Sequence, residues 1–408
     1  MRGLEFFSAL AEAPPTDSRW SDLAAGIVVF RLAEAALTDV QTDQWSLNEA
    51  KRQVAGVTRF ALNLRLRDIL EGLESCSQRD SDWRRTVGRK LMAFGLELHR
   101  AGEYGPAADA FALIYECVPD DPALHMQAMQ QRAFMLRLLA RFDDAEVVYQ
   151  RLEQFASDVA DVGMRLEAQL GMARVVVGRG NLPAAEHVVR RVVHDARRFQ
   201  QHVAAANGLI DLAWIAGARH RPDEVLAYSY DALPHIELRP ISGDDLRERA
   251  LVNIATALRE LGRPTAATTV ARHVAAIARS ADQRAAALTV LYHVAIDDRN
   301  AQMAAAYRGA LATEHMAPTI ALEYYEATTR EHATFERFAE AEVSARRMLA
   351  VSDELRLNEF SFRAEAALKE LAKGRVPRVY AFRPVALDNT SLKRVAEIEA
   401  SVAALCGV

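Results

Sequence analysis

Cysteine is scarce in this chain: Cys76, Cys117 and Cys406 are the only three in 408 residues, far apart and odd in number. They form neither a CxxC pair nor a disulfide framework, which excludes a cross-linked secreted scaffold and points to a reducing compartment. Glycine (19) and proline (13) are few, so long structureless linkers are not expected. Aromatic residues make up only 7% of the chain, which suits thin helix–helix layers better than one thick core. Neither sign of charge prevails, with 50 basic against 55 acidic residues, so there is no global field to attract nucleic acid or an anionic membrane. Long apolar runs are missing as well. The longest, LAAGIVVF from Leu23 to Phe30, is ended by Arg31 and Glu34, whereas a membrane span needs about twenty apolar residues. The opening MRGLEFFSALAEAPP carries Glu5 within its short apolar stretch, which does not fit a signal peptide. These absences lead us to expect a cytoplasmic protein.

The catalytic motifs are missing too: GxxxxGK[ST], GxGxxG after a strand, HExxH, GxSxG and DxDxDG do not occur. His187, His194 and His202 follow one another at helical spacing, but nothing adds the further ligands a zinc site requires. We expect no enzyme, no metal and no cofactor. The run HVVRRVVHDARRFQQH holds Arg190, Arg191, Arg197 and Arg198, yet Asp195 interrupts it and no aromatics interleave. It reads as a solvated face, which argues against nucleic acid as a partner.

Present in excess are alanine, leucine, arginine and glutamate, all good helix formers, and an internal repeat. The clearest unit starts at Gly88 and offers Gly95, then Gly102 and Tyr104 in a turn, then Ala107, Phe111 and a closing Pro119. Gly95 and Ala107 suit a close helix crossing, and Gly102 suits a left-handed helix stop. Phe111 is expected to fill the space toward the next unit, and Pro119 cannot continue a helix. The order recurs at Ala133, Phe142, Ala145 and Tyr149, at Ala173, Gly180, Leu182 and Ala185, and at Ala213, Pro222 and Val225. Ala255, Gly262, Pro264 and Ala267 follow, then a degraded unit at Ala304 and a last one at Phe338 and Ala341. The small residue of each second helix falls at 107, 145, 185, 225, 267, 304 and 341, in steps of 37 to 42.

These spacings resemble the tetratricopeptide repeat in a divergent, bacterial-type form, although that family's period is about 34 residues. The resemblance implies an all-α fold: a right-handed α-α superhelical solenoid of antiparallel helix pairs, about seven repeats plus capping helices. We expect a helical cap or divergent repeat over 1–87, with Ser21 capping its first helix and one long amphipathic segment over 47–73. The array follows over 88–373, and an extended segment and capping helix over 374–408. No Ser/Gly-rich linker divides the chain, so one continuous domain is expected.

In that family the first helix of each pair, helix A, lines the concave surface. Carried onto this sequence, the geometry turns Arg137, Arg174, Asp211, Trp214, Asn253 and Arg259 inward as the main contact set, with Gln130, Phe134, Asn207, His293 and Arg330 around them. Arginine forks hold carboxylates, amides grip a peptide backbone, and tryptophan anchors interfaces. The lysine and asparagines of the family's chaperone-tail clamp are absent, so chaperone tails are not the expected ligand. The function read from these features is a non-catalytic scaffold that binds a protein or extended peptide. The alternatives are a peptide-sensing receptor acting through a partner protein and a recruiting subunit of an enzyme complex. Residues 1–75 show no recognition-helix pattern, and homodimerisation stays open. The segment VPRVYAFRPV, extended and aromatic, could also lie in the chain's own groove.

Overall fold

A computed structural model describes residues 5–7, 20–38, 44–74, 80–238, 245–312, 316, 318–355, 357–377 and 389–406. Among them every regular element is a helix. The chain divides into two compact units, 1–160 and 161–408. The first contains α1 (Trp20–Leu37), α2 (Gln44–Ala55), α3 (Phe60–Glu74), α4 (Ser81–Arg100), α5 (Tyr104–Cys117), α6 (Pro122–Leu138) and α7 (Phe142–Asp158). The second contains α8 (Val162–Gly178), α9 (Leu182–Arg198), α10 (His202–Ala218), α11 (Pro222–Glu237), α12 (Leu246–Glu260) and α13 (Pro264–Ile277). It continues with α14 (Ala281–Asp297), α15 (Ala301–Ala312), α16 (Pro318–Thr334), α17 (Phe338–Glu354), α18 (Asn358–Leu371) and α19 (Asn389–Leu405). Most of VPRVYAFRPV lies outside the described residues.

Within each unit the helices up to α18 pack each on the next, and each A helix of the second unit also packs on the A helix of the following pair: α8 on α10, α10 on α12, α12 on α14 and α14 on α16. This pairing is that of an all-α solenoid, with the turns providing its metre. Gly102, Gly180 and Gly262 end A helices in the left-handed conformation at φ of 80°, 85° and 73°. Ala140, Ala160, Gln200 and His220 adopt the same conformation at φ of 54° to 58° without being glycine. At most of these turns the backbone N–H of the next residue returns to the helix it leaves, as Arg141 does to Leu136 (2.8 Å) and Gln201 to Ala196 (2.8 Å). Side-chain caps then start several helices, including Asp121 onto Leu124 (3.1 Å), Asp161 onto Met164 (2.9 Å) and Asn181 onto Ala184 (3.2 Å).

Small residues set the helix crossings. A Cβ on Gly95 would come within 2.6 Å of the Phe111 ring, so Phe111 lies over Gly95 within its own pair rather than only toward the next. A Cβ on Gly208 would come within 2.5 Å of Val193. At the front of the first unit the structure departs from the sequence reading, because the long amphipathic segment is broken between α2 and α3. Buried Asp22 accepts the Thr58 N–H at 2.8 Å and its hydroxyl at 3.0 Å, while Asn63 donates to the Val54 carbonyl at 2.8 Å. Those bonds reward a turn where helical periodicity alone would continue. In the second unit α19 lies across α11 and α13, with Val395, Ile398 and Val402 buried in their core.

Three substitutions have defined consequences for urea unfolding. Gly208→Ala should destabilise the protein by about 1–3 kcal/mol through overpacking. Gly309→Ala, where no atom lies within 4 Å of the new methyl, should instead stabilise it by about 0.5–1 kcal/mol. Gln200→Gly should relieve a left-handed residue and raise stability by roughly 1 kcal/mol; a loss there would mean that the Gln200 side chain matters more than its backbone.

Candidate functional site

The A helices of the second unit carry a ladder of polar residues at positions where cores are ordinarily apolar. On α10 the stripe runs Asn207, Asp211, Trp214, which are neighbours on one face at spacings of four and three. Arg249, Asn253 and Thr256 form the corresponding stripe on α12. Arg174 Nε donates to both oxygens of Asp211, at 2.9 and 2.8 Å, and Arg174 Nη2 donates to Asn207 Oδ1 at 3.2 Å. The same Asn207 oxygen accepts from Arg249 at 3.3 Å, and the Asn207 amide donates to Glu167 at 2.9 Å. Glu167, Asn207 and Asp211 are all buried.

A second cluster continues the ladder. Asp297 accepts from Arg259 at 3.0 Å and from Arg330, which also donates to His293 Nδ1 at 3.1 Å. Arg363 pairs with Glu326 at 2.6 Å. Beside them Glu331, 0% exposed, accepts the Tyr292 hydroxyl and pairs with Arg308 at 3.1 Å and Arg337 at 2.5 Å. Burial, with the bond to Glu331 second, raises the Tyr292 phenol above its usual value, so it remains a donor. Paired charges of this kind make a fixed polar surface rather than a reactive one. Removing one member would strand a buried charge, at a cost of up to about 3–5 kcal/mol.

The structure therefore brings Arg174, Asn207 and Asp211 into one network, and Arg259, His293 and Arg330 into another. Trp214 and Asn253 stand beside the first. Trp214 is 46% exposed on a helix whose other large residues are buried. Gln130, Phe134 and Arg137 lie on α6 in the first unit, where the Arg137 guanidinium is 5.1 Å from the Phe134 ring and Phe134 meets His99 edge-on at 5.4 Å. Arg174 and Arg259 are thus engaged by their own chain instead of offering open forks. The sequence reading missed Glu167, Asp297 and Glu331. The signal for Asp297 was the period itself, since it stands 38 positions after Arg259.

Elsewhere, Arg190 pairs with Glu186 at 2.7 Å and lies 6.0 Å from the Tyr228 ring, while Arg191, Arg197 and Arg198 are exposed. An open cleft of about 270 Å³ lies there, floored by Leu209 and Leu212. His187 and His194 are exposed, and His202 sits 3.2 Å from His235. Among the described residues no group of three or more His, Cys, Asp or Glu is placed to hold a metal ion, and no helix is long and apolar enough to cross a membrane.

His293 gives the site a pH signature. Burial first, and then Arg259, Arg330 and Arg363, hold its imidazole well below the usual 6.5. Above that value the ring is neutral in both folded and unfolded chains and contributes nothing to pH dependence. As pH falls through 6.5 the unfolded chain gains a proton that the folded one refuses, so stability declines. The urea midpoint should drop between pH 7 and pH 5, and His293→Gln should remove a slope of about 1.4 kcal/mol per pH unit. An unchanged slope in the variant would show that the ring protonates without opposition.

No family model matches the chain, and no curated protein does. Among solved structures it is similar to a Rap protein complexed with competence and sporulation factor, at 11% identity and a TM-score of 0.42, over 86% of this chain and 99% of that one. The fold assignment accordingly rests on the pairing of the helices themselves.

Proposed function

We propose that the protein is a non-catalytic scaffold that binds a protein segment or extended peptide along the A-helix face of its second unit. The observation carrying this reading is Trp214, a large aromatic 46% exposed one helical turn from the Arg174–Asp211 pair. An indole in that position gains by burial against a partner, and tryptophan is among the residues that dominate interface energies. The ionic ladder supports the same reading indirectly. Its members are already held in one geometry, so a ligand meeting this face does not have to order them. Asn253, partly exposed on the adjoining helix, adds an amide able to donate to and accept from a peptide backbone. In this reading Arg174, Asp211 and Arg259 position the face, and Trp214 and Asn253 make the contact.

The test is affinity capture with the wild type beside a Trp214→Ala, Asn253→Ala double variant, with bound proteins identified by mass spectrometry and the affinity then measured by calorimetry. Neither substitution removes a buried group, so the variant should keep its helical signal. Its affinity for the captured partner should fall at least ten-fold, about 1.4 kcal/mol. Equal affinity in a folded variant would remove this face from the function.

A further inference from the structure

Residues Glu5, Phe6 and Phe7 are seated in a built site on the first unit. Phe7 is 0% exposed, its ring 4.9 Å from Phe30, which in turn lies 5.8 Å from Phe94. Gly26 borders the Phe7 ring, and a Cβ there would stand at ordinary contact distance, 3.5 Å. Phe6 rests on Gly105 so closely that an added methyl would come within 2.8 Å of its ring. The Arg141 guanidinium lies 5.8 Å from the Phe6 centroid and donates to Glu5 at 2.9 Å. Beneath them is Asp109, 3% exposed on the alanine-rich α5, whose carboxylate accepts the Phe7 N–H at 2.8 Å.

Asp109 is the informative residue. Burial drives its carboxyl up to about 7, opposed by the N–H groups of Phe7 and Phe6 and by Arg132. A carboxylate contributes nothing to apolar packing, and alanines occupy the positions around it (Ala107, Ala108, Ala110 and Ala112). What it does here is receive backbone N–H groups from a separate segment. Backbone bonding combined with side-chain pockets is how peptides are generally recognised: the main chain supplies a grip and the pockets supply selectivity.

We infer that this site is a peptide-binding pocket selective for an acidic–aromatic–aromatic segment, filled in cis by Glu5–Phe7 and able to take the same motif from a partner protein in exchange. The acid goes to Arg141, the first ring to the Gly105 shelf beneath that guanidinium, and the second ring to the space between Gly26 and Phe30. Because the resident segment is tethered, its effective concentration is of millimolar order, and an incoming peptide must compete with it. The site is therefore shielded at rest and opens to a ligand that binds tightly or is presented at high local concentration.

The probe is a fluorescein-labelled peptide with the sequence of residues 1–10, MRGLEFFSAL, titrated by anisotropy into the full chain. Phe7→Ala empties the deep pocket and should bind the peptide at least ten-fold more tightly than wild type. Adding Gly105→Ala, which fills the Phe6 shelf while leaving the segment's own sequence unchanged, should abolish that gain. A peptide with alanine in place of its second phenylalanine should not bind. If Phe7→Ala loses its helical signal, Phe6→Ala takes its place with the same ordering expected. A folded variant that binds no better than wild type overturns the inference. So does a wild-type dimer that Phe7→Ala converts to monomer, because the occupant would then be a second copy's segment. Neither result bears on Trp214 or Asn253.

Discussion

A 17-residue helix followed by a turn ending in a left-handed residue is the constraint on which the rest of this structure depends. From α7 to α10 helices begin at 142, 162, 182 and 202, and the left-handed residues fall at 140, 160, 180, 200 and 220. The metre is strict enough that Ala160, Gln200 and His220 accept a conformation costing roughly 1–2 kcal/mol rather than break it. Equal helices and equal turns bring successive A helices into register every 40 residues or so. Side chains at matching heights then meet across helices. Glu167 bonds Asn207 at a separation of 40, Arg174 bonds Asp211 at 37, Arg259 bonds Asp297 at 38, and Tyr292 bonds Glu331 at 39. The polar ladder is the period made visible in side chains.

The ladder also explains how an A-helix face can be polar and rigid together. Isolated charges in such a half-buried position would be heavily penalised, whereas the network gives Asp297 two donors and Glu331 three. Asn207 is the joint of the first network, since its amide faces Glu167 while its oxygen faces two arginines. Trp214 gains significance from that setting. It is a large apolar side chain left open beside groups fixed by their own chain. The seat of Glu5–Phe7 on the first unit uses a different device, in which one buried carboxylate holds backbone and Gly105 makes space for the Phe6 ring.

Much of the fold was legible in the sequence because small residues recur in order, and Gly95, Ala107, Gly102 and Gly180 announce crossings and turns directly. The turns at Ala140 and Gln200 were not announced, since nothing in those residue types favours a left-handed backbone. The break between α2 and α3 escaped for another reason: it is made by Asp22, 36 positions away from Thr58. For the candidate face, helical spacing placed Asn207, Asp211 and Trp214 on one stripe. It gave the residue types of that face but not their pairings, which require the heights of two helices at once. Asp297 stands at the last position of α14, and only the period connects it to Arg259.

The return of α19 has a consequence for how the second unit holds together. Pairs in a linear array contact only their neighbours, so stability is passed along one link at a time and an end can fray independently. Here the last described helix reaches back to the middle, and Arg394 meets Asp231 across 163 positions of sequence. That contact converts part of a chain of links into a closed circuit. Fraying of the last pairs and release of α19 become linked events, and α11 and α13 lose their covering only when the circuit opens. Such long-range closure raises contact order, so the circuit is expected to complete late in folding, after the local helix pairs have formed.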